Sequence, residues 1–116
     1  PRDALMWLNL ARAHLHNGRV DDAITSAREA LRLDPSSPLA CRLLGEYLGQ
    51  QSRFDEASDV FNAFPKDAPR DFDWYNAQGN ALFQSQRLED AVSAYFAALA
   101  LQVDAAIVHY RLGLTF

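Results

Sequence analysis

The stretch Leu44-Gly45-Glu46-Tyr47-Leu48-Gly49-Gln50-Gln51-Ser52-Arg53-Phe54-Asp55-Glu56-Ala57 reads as the end of one helix, a short turn and the start of a second. Gln51-Ser52-Arg53 is the turn, and Asp55-Glu56 places carboxylates where a helix N-terminus carries partial positive charge. The same reading repeats outward at a fixed interval. Ala11, Gly45, Gly79 and Gly113 stand 34 residues apart. Ala23, Ala57 and Ala91 follow the first three by twelve positions, and four residues later come Ala27, Phe61 and Tyr95. A further column holds Leu10, Leu44 and Leu112, broken by Gln78, and another holds His14, Leu48, Leu82 and Phe116. Interlocked series at one period of this length mark an array of paired helices.

Within each period apolar residues return every three or four positions, the face of an amphipathic helix, and no segment alternates as a strand would. First helices are expected over Asp3 to His16, Pro38 to Gln50, Phe72 to Ser85, and from Ala105 onward. The turns are Asn17-Gly18-Arg19, Gln51-Ser52-Arg53 and Gln86-Arg87, and the second helices open with Asp21-Asp22, Asp55-Glu56 and Glu89-Asp90. Asp34-Pro35-Ser36-Ser37-Pro38 offers a stop, a cap and a proline suited to a first turn. Pro65 comes earlier than its counterpart, so the preceding helix is expected to end by Phe64, leaving Pro65 to Asp71 as a longer linker. A glycine inside a helix costs about 1 kcal/mol relative to alanine, so the aligned glycines imply close approach of the paired helix. The small residue of the first helix and the alanine of the second are expected to meet there.

The 116 residues are 49% hydrophobic and 22% charged, which fits one globular domain. A net charge of -4 argues against nucleic acid as partner, because phosphate recognition needs a concentrated basic face. The apolar run from Ala94 to Leu101 falls short of the roughly 20 residues of a membrane span. Cys41 is the lone cysteine, so no internal disulfide forms and no compartment follows from it. The chain begins at Pro1 and stops at Phe116 inside a periodic helix, so a fragment of a longer protein is expected.

These columns resemble the tetratricopeptide repeat family. The matching residues are Trp7, Leu10, Ala11, His14, Ala23, Ala27, Ala30 and Pro35, then Cys41, Leu44, Gly45, Leu48, Ala57, Phe61, Phe64 and Pro69. Tyr75, Gly79, Leu82, Ala91, Tyr95 and Ala98 follow, with Val103 in place of the proline, and His109, Leu112, Gly113 and Phe116 resemble a further first helix. The resemblance implies an all-α, right-handed superhelical stack of antiparallel hairpins with about seven helices. It implies a single domain over residues 1–116, with repeats at 4–37, 38–71 and 72–105 and a partial repeat at 106–116.

By the same resemblance the first helices line a concave groove that binds a peptide or partner protein, and the chain is a scaffold rather than an enzyme. The groove would be lined by Leu5, Leu8, Asn9, Arg12 and His16, then Leu39, Arg42, Leu43 and Glu46, then Asp73, Asn76, Ala77, Asn80 and Phe83, then Ile107, Tyr110, Arg111 and Leu114. Its binding side chains would be Asn9, Arg12, Arg42, Glu46, Asn76, Asn80, Tyr110 and Arg111: forked guanidiniums for carboxylates and amides for a peptide backbone. The family's co-chaperones clamp a C-terminal carboxylate, but here the corresponding places hold Leu8, Arg12, Leu43, Asp73 and Ala77, so heat-shock-protein tails fit poorly. The asparagine ladder of its glycosyltransferases is matched only at Asn9. Alternative readings are the substrate-recruiting arm of a glycosyl- or sulfotransferase-like protein, and self-assembly through the stripe at Leu112 and Phe116.

Other chemistry is not expected. His14 and His16 are two apart, whereas a helical metal pair prefers four, so neither a metal nor another cofactor is implied. Cys41 has no identifiable base and reads as a small buried hydrophobe. The paired carboxylates are explained by helix ends, and Trp7 and Trp74 read as core or hinge anchors.

Overall fold

The computed structural model describes residues 2–101. Six helices follow in order: α1 (Arg2–His16), α2 (Val20–Leu33), α3 (Pro38–Gln50), α4 (Phe54–Asn62), α5 (Phe72–Gln84) and α6 (Leu88–Leu101). No strand occurs among the described residues. The bounds of α3 are those predicted, and each second helix begins one residue before its acidic pair. The helix predicted from Ala105 onward lies outside the described residues.

The turn inside each hairpin is one device used three times. Gly18, Ser52 and Gln86, again 34 apart, have positive φ of 79°, 59° and 65°. The left-handed residue lets the chain fold back onto the end of the first helix, closing its orphan carbonyls in paired bonds. Arg19 N donates to His14 O at 2.8 Å, Arg53 N to Leu48 O at 2.9 Å and Arg87 N to Leu82 O at 2.8 Å. The inner bonds run from Gly18, Ser52 and Gln86 to Leu15, Gly49 and Phe83. Each arginine carbonyl then accepts from the alanine four residues on, so the turn passes directly into the second helix.

Packing inside a hairpin accounts for the aligned glycines. The nearest atoms to a Cβ added at Gly45 belong to the ring of Phe61, and at Gly79 to the ring of Tyr95; both would overlap. The glycines therefore clear space for the aromatic residue of the paired helix. Rings lying on bare backbone recover contact area that offsets the glycine cost. Where the small residue is Ala11, the partner column holds Ala27, and both are fully buried. Tyr95 is further fixed by its hydroxyl, which donates to Asn80 Oδ1 at 2.8 Å.

The hairpins stack in chain order. α3 lies against α2, α4 and α5, so the middle hairpin carries both interfaces. Leu44, 3% exposed, is buried against the preceding hairpin. Its period-mate Leu10 is 42% exposed, with no hairpin packed on that side of α1 among the described residues.

Candidate functional site

The outward face of α1, α3 and α5 carries six of the eight residues expected to bind. Asn9 and Arg12 are exposed on α1. On α3, Arg42 Nη1 donates to Glu46 Oε2 at 3.3 Å, one helical turn away, with Arg42 half-buried and Glu46 exposed. Next to Glu46 in sequence, but turned into the core, is Tyr47, which the sequence reading did not single out. It is 2% exposed, and burial raises its phenol above the ordinary value, with charges on Arg12, Glu46 and Arg42 all reaching it. The only sequence signal for Tyr47 was its position as a bulky residue in a column otherwise occupied by Ala13 and Ala81.

On α5 the two asparagines behave differently. Asn80 uses Oδ1 to accept from Tyr95, a tie across its own hairpin. Asn76 is half-buried, and its Oδ1 is buried without a hydrogen-bond donor. A buried carbonyl oxygen with no donor costs free energy. Tyr110 and Arg111 lie outside the described residues, as do Ile107, Leu112, Leu114 and Phe116.

Three residues assigned to the groove are core instead: Leu8, Leu43 and Ala77 are 4%, 7% and 5% exposed. For Leu43 and Ala77 the cause is lateral packing. α3 presses against α2 on one side and α5 on the other, and that contact covers the inner edge of the face. Leu5, His16 and Asp73 remain exposed, while Leu39 and Phe83 are half-buried.

Cys41 is fully buried, its Sγ donating to Val60 O at 3.7 Å. Burial pushes the thiol up to about 11, against smaller opposing pulls from Trp74 and Arg70. It is therefore protonated at neutral pH and no nucleophile. His14 is half-buried and His16 exposed, and no cluster of three His, Cys, Asp or Glu able to hold a metal occurs among the described residues. No helix among them is long and apolar enough to cross a membrane.

Comparison with known proteins places this geometry. No curated protein sequence matches the chain. The fold is shared with the first TPR domain of human RPAP3, at 22% identity and a TM-score of 0.89, covering 99% of this chain and 91% of that one. It is shared with the first TPR of Spaghetti (RPAP3) bound to the HSP90 peptide SRMEEVD, at 20% identity and a TM-score of 0.86, covering 98% and 90%. The Sgt2 TPR domain from Aspergillus fumigatus superposes at a TM-score of 0.87 with 14% identity, covering 99% and 78%. A tetratricopeptide repeat profile matches residues 1–38 and 42–107. With its 34-residue period, its six stacked helices and this match, the chain belongs to the tetratricopeptide repeat family, whose architecture is the all-α, right-handed superhelical stack of antiparallel hairpins.

Proposed function

We propose that the chain is a non-catalytic interaction module that binds an extended peptide segment of a partner protein along the outward face of α1, α3 and α5. The observation that supports this is the row of polar side chains on the first helices, Asn9 and Arg12 exposed on α1 and the Arg42–Glu46 pair on α3, in a fold shared with a peptide-bound TPR domain. A guanidinium pairs with a partner carboxylate in a forked geometry, and exposed Asn9 offers an amide to a peptide backbone. Leu39 and Phe83, half-buried on the same face, accept apolar side chains.

The Spaghetti domain holds an acidic HSP90 peptide on this fold. Here Leu8, Arg12, Leu43, Asp73 and Ala77 stand where a basic and asparagine clamp would be; Arg12 alone is basic, and Leu8, Leu43 and Ala77 are buried. The exposed carboxylate of Asp73 repels an acidic tail. The favoured ligand is therefore a mixed polar and apolar segment with an isolated acid to meet Arg12 or Arg42. Asn9 and Asn80 complete the proposed face among the described residues.

The test is a pull-down from matched lysates with the chain and an Arg42→Glu, Asn76→Ala double variant, with thermal melting to verify that both are folded. Loss of the specifically captured proteins by the folded variant is expected. Equal capture by both places the binding surface elsewhere.

A further inference from the structure

On the opposite side of α3 the stack is incomplete. α4 has 9 residues, whereas α2 and α6 have 14 each. The period explains the difference: the last turns of α2 and α6 carry Leu31 and Leu99, and the equivalent place after α4 is Pro65, which cannot continue a helix. The volume that a final turn of α4 would fill is an open cleft of ≈ 720 Å³. Its apolar lining is half-buried Leu31 and Val60 over the nearly covered Leu44 and Phe64, with Pro35 and Pro65. Leu44 lies about half a helical turn from Arg42 and Glu46, so this cleft and the peptide-binding face proposed above are on different sides of α3.

The charges along its walls are unequally satisfied. Arg28 and Arg32 stand on the α2 side, Glu56 and Asp59 on the α4 side. Arg32 is held by both oxygens of Glu29, at 3.1 and 3.0 Å from Nε. Arg28 meets Glu56 at 3.6 Å, and Arg53 holds the same carboxylate. Asp59 is exposed and has no ion pair among the described residues. The wall charge left without a counterion is negative, on a chain of net charge -4.

We propose that this cleft is a second docking site, occupied by one or two turns of an amphipathic partner helix that seats a leucine-sized side chain on Leu31, Leu44, Val60 and Phe64 and sets a lysine or arginine against Asp59. The apolar anchor replaces the turn that Pro65 removes, and the cation supplies the counterion that Asp59 lacks. Such helix-in-groove recognition takes its affinity from the buried anchor and its selectivity from the flanking charge.

The experiment titrates the isotope-labelled chain with two short amidated peptides. One carries leucines one turn apart flanked by lysines, and the other has glutamates in place of the lysines. Amide shifts centred on Leu31, Val60 and Phe64 are expected with the lysine peptide. Binding about five-fold weaker is expected for the glutamate peptide, and for the lysine peptide on Asp59→Lys, the size of a partly exposed charge contact. Asp59 makes no side-chain contact that folding needs, so Asp59→Lys remains folded, and Arg42→Glu leaves the lysine peptide's affinity unchanged. The proposal is overturned if the lysine peptide gives no shifts at millimolar concentration, if its shifts map to the face of Arg42 and Asn76, or if Asp59→Lys binds it equally well.

Discussion

Between α2 and α3 the chain turns through Asp34 to Ser37, whereas between α4 and α5 it takes Ala63 to Asp71. The first junction is fixed by local turn and cap chemistry. Ser37 N donates to Asp34 O at 3.1 Å, Ser37 Oγ accepts from Ala40 N at 3.1 Å, and Pro38 opens α3 with a preset φ. The second has a comparable cap, with Asp71 Oδ1 accepting from Trp74 N at 2.8 Å, but a longer span to hold down. It does so with side chains. The guanidinium of Arg70 lies 4.8 Å from the Trp74 ring and 5.3 Å from the Phe64 ring, and its Nη1 donates to Lys66 O at 2.8 Å. Trp74 in turn packs edge-on to Phe61 and Tyr75, at 5.3 Å from each, and against Phe64 at 5.2 Å. A short junction needs only turn chemistry; a long one has to be tied to the core, because its ordering entropy is larger.

Three substitutions break or sharpen that contrast. The largest effect is expected from Trp74→Ala, which removes the ring shared by the second junction and the core; a loss of about 3 to 5 kcal/mol in urea unfolding is expected. Should it cost under about 2, the aromatic cluster is not what holds that junction. Arg70→Ala comes next, at about 1 to 2 kcal/mol from lost ring stacking and carbonyl contacts, with Arg70→Lys recovering only part because an ammonium lacks the planar fork. Equal stability of the lysine and parent proteins counts against the stacking account. Ser37→Ala is expected to cost about 1 kcal/mol, the worth of one N-cap. Thermal or urea melts that rank Ser37→Ala above Arg70→Ala reverse the comparison.

The helices were legible because the features that define them are local. Three-to-four spacing, acidic pairs and Pro38 fix starts within a residue, and the early Pro65 already implied the shortened α4 and the long linker. Features that depend on geometry between helices were harder to read. The 34-residue spacing showed that Gly45 and Gly79 needed space, but not that a ring four residues past the aligned alanine fills it. Nor does the period distinguish a Leu8 sealed by a neighbour from an Asn9 left exposed one residue later. Arg70 sits in a linker with no periodicity, so its stacking had no sequence signature. Tyr47 and the Asn80–Tyr95 bond depend on which side chains meet after folding. Ser52 and Gln86 gave no warning of positive φ, since neither is a residue that favours it; only their alignment with Gly18 pointed that way.

The order in which the helices touch also bears on how quickly the chain organises. Contacts run between successive helices at every step, and α3 against α5 is the one substantial pairing that skips an element. Closing it requires α4 and the Ala63 to Asp71 segment to be spanned, a longer loop than any other contact here demands. Topologies dominated by such near-neighbour encounters form on microsecond to millisecond timescales, and the meeting of α3 with α5 carries the largest loop-closure cost among them.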